Sequence, residues 1–250
     1  MSTTTLATDT ITVFSRELRP MLRDPFSVVF SMIQPLVFLG LFAPLLPDVG
    51  PGSELQWFVP GIVAMSCLMG ASMTGSNLLF EMQTGSHERM LVTPLRRPSL
   101  LLGRAFKEIV PMLAQTVIIL AVVTPFRFEL NVTGAVVGLA ILAIFCTGIG
   151  SLSYTLALAS KGRDWLFWTV QQTLLFPILL LAGMLLPVEG GPGWLQTASK
   201  LNPLTYVVNA ERELFAGAFT STTVLAGLVA AVAVAAVGLL VGTRAMRNSS

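Results

Sequence analysis

The chain has 250 residues, of which 54% are hydrophobic and 11% charged, with a formal net charge of +2. Soluble domains carry about a quarter of their residues as charge, so this composition excludes a water-facing globule and points to a membrane-embedded chain. A balance of 15 basic against 13 acidic residues gives no nucleic-acid signal, and two cysteines are too few for a disulfide framework.

The polar N-terminus carries Asp9 and Glu17 and lacks a basic region leading into an apolar core and a small-residue cleavage site. No cleaved signal peptide is expected. In residues 10–24, TITVFSRELRPMLRD, Ile11, Phe14, Leu18 and Met21 share one helical face, and Thr12, Arg16, Arg19 and Arg23 another. This is the pattern of an N-terminal helix, within residues 1–25, lying in the cytoplasmic interface and kinked at Pro20. An amphipathic helix packed on a partner gives the same pattern.

Six charge-free windows follow, and the spacing predicts spans at about 26–46, 58–80, 109–126, 134–159, 166–187 and 221–243. About 20 apolar residues cross a bilayer core, and a charge at mid-span costs on the order of 3 kcal/mol. With both termini inside, twelve Lys and Arg residues fall on the cytoplasmic side; only Arg127, Lys200 and Arg212 fall outside. That bias sets the expected orientation. Cys67 and Cys146 fall in the second and fourth spans, where two buried apolar thiols are the plainer reading and a disulfide would require abutting helices.

Met65, Met69 and Met73 recur every four residues on the second span. Polarizable methionines suit a path for adaptable apolar solutes, and ordinary helix packing produces the same stripe. Gly134 with Gly138, and Gly238 with Gly242, permit close helix approach. Asn131-Val132-Thr133 fits a glycosylation triplet that is common by chance. Between Pro187 and Ser221, Trp194, Leu195, Ala198 and Leu201 have helical spacing. Asn202-Pro203 then opens a second short helix carrying Leu204, Val207, Val208, Glu211 and Leu214. Neither piece is long enough to cross, so the segment reads as two short re-entrant helices in the outer leaflet, with Trp194 and Tyr206 at the headgroups. No repeat or linker divides the chain, which reads as one all-α polytopic membrane domain over 1–250.

The spans so drawn contain no ionisable residue, which argues against a proton-coupled transporter. The sole histidine, His87, lies in a loop, so an intramembrane Ser-His dyad is excluded; Leu91 stands where the second histidine of a zinc-binding HExxH would be. Too few ligands remain for a metal site, and no phosphate-binding loop of the Gly-x-x-x-x-Gly-Lys-Ser/Thr type occurs.

The polar segment between the second and third spans, GSHERMLVTPLRRPSLLLGR, spans residues 85–104. Ser86 suits an N-cap, Glu88 complements a helix N-terminus, and Pro94 pushes Thr93 out of the helical region. The result is a short cytoplasmic helix exposing Glu88, Arg89, Met90, Leu91 and Val92, suited to a groove on a soluble partner. Arg96, Arg97, Arg104 and Lys107 suit anionic headgroups. Together Glu81, Gly85, Glu88, Leu91, Thr93-Pro94-Leu95-Arg96-Arg97 and Gly103-Arg104 resemble the loop of ABC type-2 exporter permeases of the daunorubicin-resistance-like branch. A second stretch, FPILLLAGMLLPVEGGPGWLQTASKLNPLTYVVNAER from Phe176 to Arg212, resembles that family's closing signature. Asn209 departs from it, since an aspartate is frequent there.

The resemblance implies a permease subunit without its own ATP site, ATP and Mg being bound by two copies of a separate ABC ATPase subunit. It also implies a second permease chain, as homodimer or heterodimer. Gly85, Glu88, Arg89, Leu91 and Thr93 would contact the ATPase subunit as a coupling helix, joined by Arg16 and Glu17 of the N-terminal helix. The expected role is export across the plasma membrane of a hydrophobic or amphipathic solute, such as a drug-like compound, lipid or lipid-linked glycan. Membrane lipids are expected partners and nucleic acid is not; an ATP-independent channel or scaffold is the competing class.

Overall fold

The computed structural model describes residues 5–23, 25–45, 54–92, 97–126, 128–185 and 187–248. It consists of twelve α-helices and two short 3-10 turns, with no strand among the described residues. In chain order these are α1 (Leu6–Arg23), α2 (Pro25–Ser31), α3 (Ile33–Phe42), α4 (Glu54–Gln83), α5 (Ser86–Leu91) and α6 (Arg97–Lys107). They continue as α7 (Ile109–Val123), α8 (Val132–Ala159), α9 (Asp164–Leu181), α10 (Gly193–Leu201), α11 (Pro203–Phe215) and α12 (Thr222–Asn248).

Five helical segments among the described residues are long and apolar enough to cross a membrane: Glu54–Gln83, Pro98–Val123, Val132–Ala159, Asp164–Leu181 and Thr222–Arg247. The first expected span is instead two shorter helices, α2 and α3, with Val29–Phe42 as an apolar piece below spanning length. Proline explains the interruption. Pro35 has no N–H to offer the carbonyl of Ser31, and the helix turns at Met32. The same device acts at Pro111, which cannot bond Lys107, and a turn at Glu108 separates α6 from α7. α1, by contrast, continues through Pro20 to Arg23.

The third span therefore begins near Pro98 rather than at 109, and it carries Arg104, Lys107 and Glu108; Glu81 lies in the last turns of α4. The expectation of spans free of ionisable residues is corrected accordingly. All four of these groups are held in ion pairs described below, which is how a membrane protein tolerates them.

α8 is the axis of the molecule, with α4, α11 and α12 packed along it. Small residues set these approaches, because apolar side chains gain little by leaving lipid for one another and close backbone packing decides. A Cβ on Gly134 would lie 1.8 Å from the Leu214 carbonyl oxygen of α11, and one on Gly238 of α12 would lie 2.3 Å from the Gly148 oxygen of α8. Ser153 Oγ of α8 donates to the Ser72 carbonyl of α4 at 2.5 Å and accepts from the Gly75 N–H at 3.1 Å. Cys67 and Cys146 sit at this α4–α8 contact as free thiols, with Cys146 Sγ 3.4 Å from the Cys67 carbonyl oxygen. Leu225, Val229, Val232 and Leu240 of α12 face outward, the surface a lipid-facing helix presents.

At the end of the bundle opposite α5, α10 and α11 form a hairpin. Asn202 caps α11 through its Oδ1, which accepts from the Leu204 N–H at 3.1 Å, with Pro203 in the first helical position. Its Nδ2 donates to the Ile178 carbonyl at 2.7 Å, beside the Ala182 N–H that the same oxygen accepts, and Thr205 Oγ1 donates to the Leu181 carbonyl at 3.2 Å, so the hairpin is bonded to the last turn of α9. Arg212 holds the other side. It donates to the carbonyls of Trp57 and Gly183 at 3.1 and 2.8 Å and to Asn209 Oδ1 at 3.0 Å, and lies 3.9 Å above the Trp57 ring. Asn131 is an N-cap here, accepting from the Gly134 N–H at 2.9 Å.

Candidate coupling site

The described part of the polar loop begins with a tight reversal. α4 ends at Gln83 and α5 starts at Ser86, with Gly85 at φ 68° between them, a left-handed conformation that glycine adopts without strain. Gly85, not Ser86, occupies the cap position of α5, and no side chain caps it. Arg89 is exposed, whereas the adjacent Met90 is only 3% exposed. Six residues of helix cannot be stable alone; Met90 anchors this one.

Met90 enters a second hydrophobic core with Val13 of α1, Leu78 of α4, Leu101 of α6, Tyr154 of α8, Phe167 of α9 and Met246 of α12. Through one side chain, the shortest helix is in register with six others. Arg16 of α1 also reaches α5, its guanidinium in contact with the Met90 sulfur. α1 lies along α6 at close range, since a Cβ on Gly103 would meet Val13 at 2.7 Å.

Arg104 of α6 sits beneath this core at 3% exposure. Its guanidinium pairs with Glu81 of α4, lies 3.6 Å from Glu17 Oε1 of α1, and donates to the Tyr154 hydroxyl of α8 at 3.2 Å. Its carbon is 5.5 Å from the Tyr154 ring centre. One buried cation thus ties four helices, and the reading of Arg104 as a headgroup anchor is corrected: its charge is turned inward to two carboxylates. Lys107 pairs with Glu108 at 3.0 Å beside it. Losing one member of such a set leaves buried charge uncompensated, which fixes the relative positions of the helices more firmly than it stabilises the fold.

The geometry makes α5, α1 and α6 a single platform at one end of the bundle, wired to α4 and α8 by charge and to the other helices by Met90. Glu17 faces Arg104 within the chain, and Arg16 faces α5. Glu88 and Leu91 lie on α5, but their side chains, and Thr93 altogether, fall outside the described residues.

The family model described as ABC-2 type transporter matches residues 8–216, most of the chain and all of this platform but the first two residues of α1. The chain belongs to the ABC-2 type transporter family. It is similar to the daunorubicin resistance ABC transporter permease protein DrrB1 of Streptomyces coeruleorubidus, with 23% identity over 218 residues covering 85% of this chain and 77% of that protein. The putative transport permease ycf38 of Cyanophora paradoxa is 30% identical over 201 residues, 77% of this chain and 69% of that one. The probable doxorubicin resistance ABC transporter permease protein DrrC of Mycobacterium tuberculosis (strain ATCC 25618 / H37Rv) is 25% identical over 196 residues, 76% and 70% of the two chains.

As an ABC-2 type chain it is a multi-pass transmembrane permease subunit, and membership implies an ABC ATPase partner and dimeric assembly. Within this ABC-2 fold the three methionines lie together. Met65, Met69 and Met73 line a cleft of about 200 Å³ between α2–α3, α4 and α7, with Gln34 and Gln115. Met65 is buried and Met73 exposed, so the stripe runs from the core to the surface. A neighbouring cleft of about 220 Å³ shares Ser31, Ser66 and Gln115 and extends to Lys107 and Glu108. Gln115 Nε2 donates to Ser31 Oγ at 2.6 Å across it.

Sequence reasoning missed Tyr154 and the inward role of Arg104. A signal for the first was present: Tyr154 is one of two tyrosines in the chain and the only one inside a span.

Proposed function

We propose that the chain is the membrane subunit of an ATP-driven exporter, with α5 seated in a separate ABC ATPase subunit and two such subunits serving a permease dimer. The observation that supports this most is the pairing of exposed Arg89 with buried Met90 on one short helix. Such a helix presents a charge to a soluble partner while its next residue is held in the shared core. Movement of α5 under a closing ATPase would pass through Met90 and Arg16 into α1 and through Arg104 into α4 and α8.

On this reading Gly85, Glu88, Arg89, Leu91 and Thr93 meet the ATPase, with Arg16 and Glu17 supporting them from α1. The α5 end is cytoplasmic, both termini lie inside, and α2–α3 supplies a sixth crossing of the plasma membrane. The α10–α11 hairpin then sits on the outer side as a re-entrant cap. ATP and Mg belong to the partner. The apolar methionine cleft, and the names of the DrrB1 and DrrC relatives, favour a hydrophobic or amphipathic cargo of drug-like or lipid-like chemistry, with Met65, Met69 and Met73 on its path.

The test uses the ATPase subunit that co-purifies with the full chain in lipid. Arg89→Glu reverses one exposed charge without touching the core. Affinity for the ATPase should fall by about tenfold or more, the scale of a reversed charge at an interface, and stimulation of ATP hydrolysis by the permease should fall with it. Unchanged affinity and stimulation would remove α5 from the interface.

A further inference from the structure

Glu211 lies on α11, the second helix of the α10–α11 hairpin, and it is completely buried. Neither carboxyl oxygen has a hydrogen-bond partner among the described residues. The carboxyl is pressed against α8 where that helix has no side chain: a Cβ on Gly138 would stand 2.2 Å from Oε2. One turn away, Gly134 receives the Leu214 backbone of the same helix. The two glycines form a seat, and Glu211 occupies half of it. By spacing it falls on the face of α11 that also carries Leu204, Val207, Val208 and Leu214, all buried.

An ionised carboxylate in such a place would face a cost of several kcal/mol with nothing to offset it. No cation among the described residues bonds the Glu211 carboxyl, and Lys200, in the last turn of the packed α10, forms no hydrogen bond with it. The buried free thiols of the neighbouring helices, Cys67 of α4 and Cys146 of α8, carry no positive charge. The ionisable groups of α12 are Arg244 and Arg247, at its opposite end. On α11 itself Arg212 is committed to Trp57, Gly183 and Asn209. No group of three or more His, Cys, Asp and Glu able to hold a metal occurs among the described residues.

We propose that Glu211 is a proton-binding site, and that binding of a proton there seats the α10–α11 hairpin against Gly134 and Gly138 of α8. Loss of that proton releases the hairpin, which makes this end of the bundle a cap that opens with rising pH. If this end faces outward, as in the export reading, the pH that matters is the external one; the seat itself does not depend on that reading.

The direction follows from burial, which raises the seated carboxyl from 4.5 to about 8. The unseated carboxyl, in contact with water, keeps the ordinary value. Seating is then at full strength below about 4.5 and weakens as pH rises toward about 8, where the seated form also ionises and the dependence levels off. Between these limits the open population grows about tenfold per pH unit.

The experiment places a reporter thiol in the seam: Val208→Cys, fully buried in α11, in the full chain in lipid nanodiscs with Cys67 and Cys146 replaced by alanine. Labelling by a small water-soluble thiol reagent is followed across pH in chains with Glu211 and with Glu211→Gln. The ratio of the two rates cancels the intrinsic pH dependence of thiol and reagent. It should rise steeply between the two limits and then flatten. A ratio that stays constant with pH would overturn the proposal. If Glu211→Gln fails to assemble, Glu211→Leu serves as the neutral control with the same expectation. Gly138→Ala, which forces the carboxyl from its seat, should label fast at every pH, and slow labelling there would equally contradict a seat at Gly138.

Discussion

Arg104 shows how far a single side chain can organise this molecule. Between Glu17, Glu81 and Tyr154 it joins residues from four helices. Arg104→Met removes the cation and leaves two carboxylates, 15% and 18% exposed, facing each other. A cost of about 3 kcal/mol is expected, the low end for breaking a buried pair because both acids keep some access to water. Thermal unfolding of the purified chain measures it, and Glu81→Gln in the same chain should restore part of the loss. A change as small as that of a surface substitution would mean that Arg104 does not hold the platform. Arg212 is the counterpart at the other end. Arg212→Lys keeps the charge but cannot reproduce a planar fork stacked on Trp57 and bonded to two carbonyls, and about 2 kcal/mol should be lost in the same assay. At this scale the sequence was only half legible. Arg104 stands among Arg96, Arg97 and Lys107 and reads as one more anchor, because the acids that claim it are distant in the chain. Glu211 was visible on an apolar face, yet spacing alone could not show that no partner meets it.

The nearly all-helical character followed from hydropathy and the start of α11 at Asn202 from local stereochemistry, whereas α5 is capped at Gly85 rather than at the expected Ser86. Boundaries suffered where charge was used to mark them. Lys107-Glu108 looked like the edge of the third span, but the apolar segment extends back through the turn at Glu108 to Pro98, with Arg104, Lys107 and Glu108 paired rather than solvated. Proline was the better signal: Pro35 and Pro111 each break a helix four residues upstream. Seams between helices depend on glycine. Gly148 and Gly238 bring α8 and α12 into backbone contact, so Gly238→Leu should destabilise the fold by about 1–3 kcal/mol, the usual cost of overpacking. Gly40, whose Cβ position is open, should accept alanine with no loss. Both are read by the midpoint of thermal unfolding. Equal tolerance at the two positions would show that the α8–α12 contact is looser than the structure has it.

The whole molecule is polarised. One end gathers α1, α5 and α6 around Arg104 and Met90; the other is closed by the α10–α11 hairpin on Arg212 and Glu211. α8 runs between the two ends, with Tyr154 near one and Gly134 and Gly138 near the other. A push on α5 therefore has a continuous route of packed side chains and close helix contacts toward the hairpin. The family and its ATPase partner could be recognised from two short motifs, whereas this route could not, because it is made of contacts between residues far apart in sequence. The most direct measurement concerns α5 itself. Arg89→Cys, at an exposed position beside the buried Met90, is labelled with a thiol reagent in the full chain in lipid nanodiscs, first alone and then with the co-purifying ATPase subunit. Strong protection by the ATPase, with a further change in rate when ATP is added, is the expected result. Labelling at the same rate in all three conditions would contradict a coupling helix at α5.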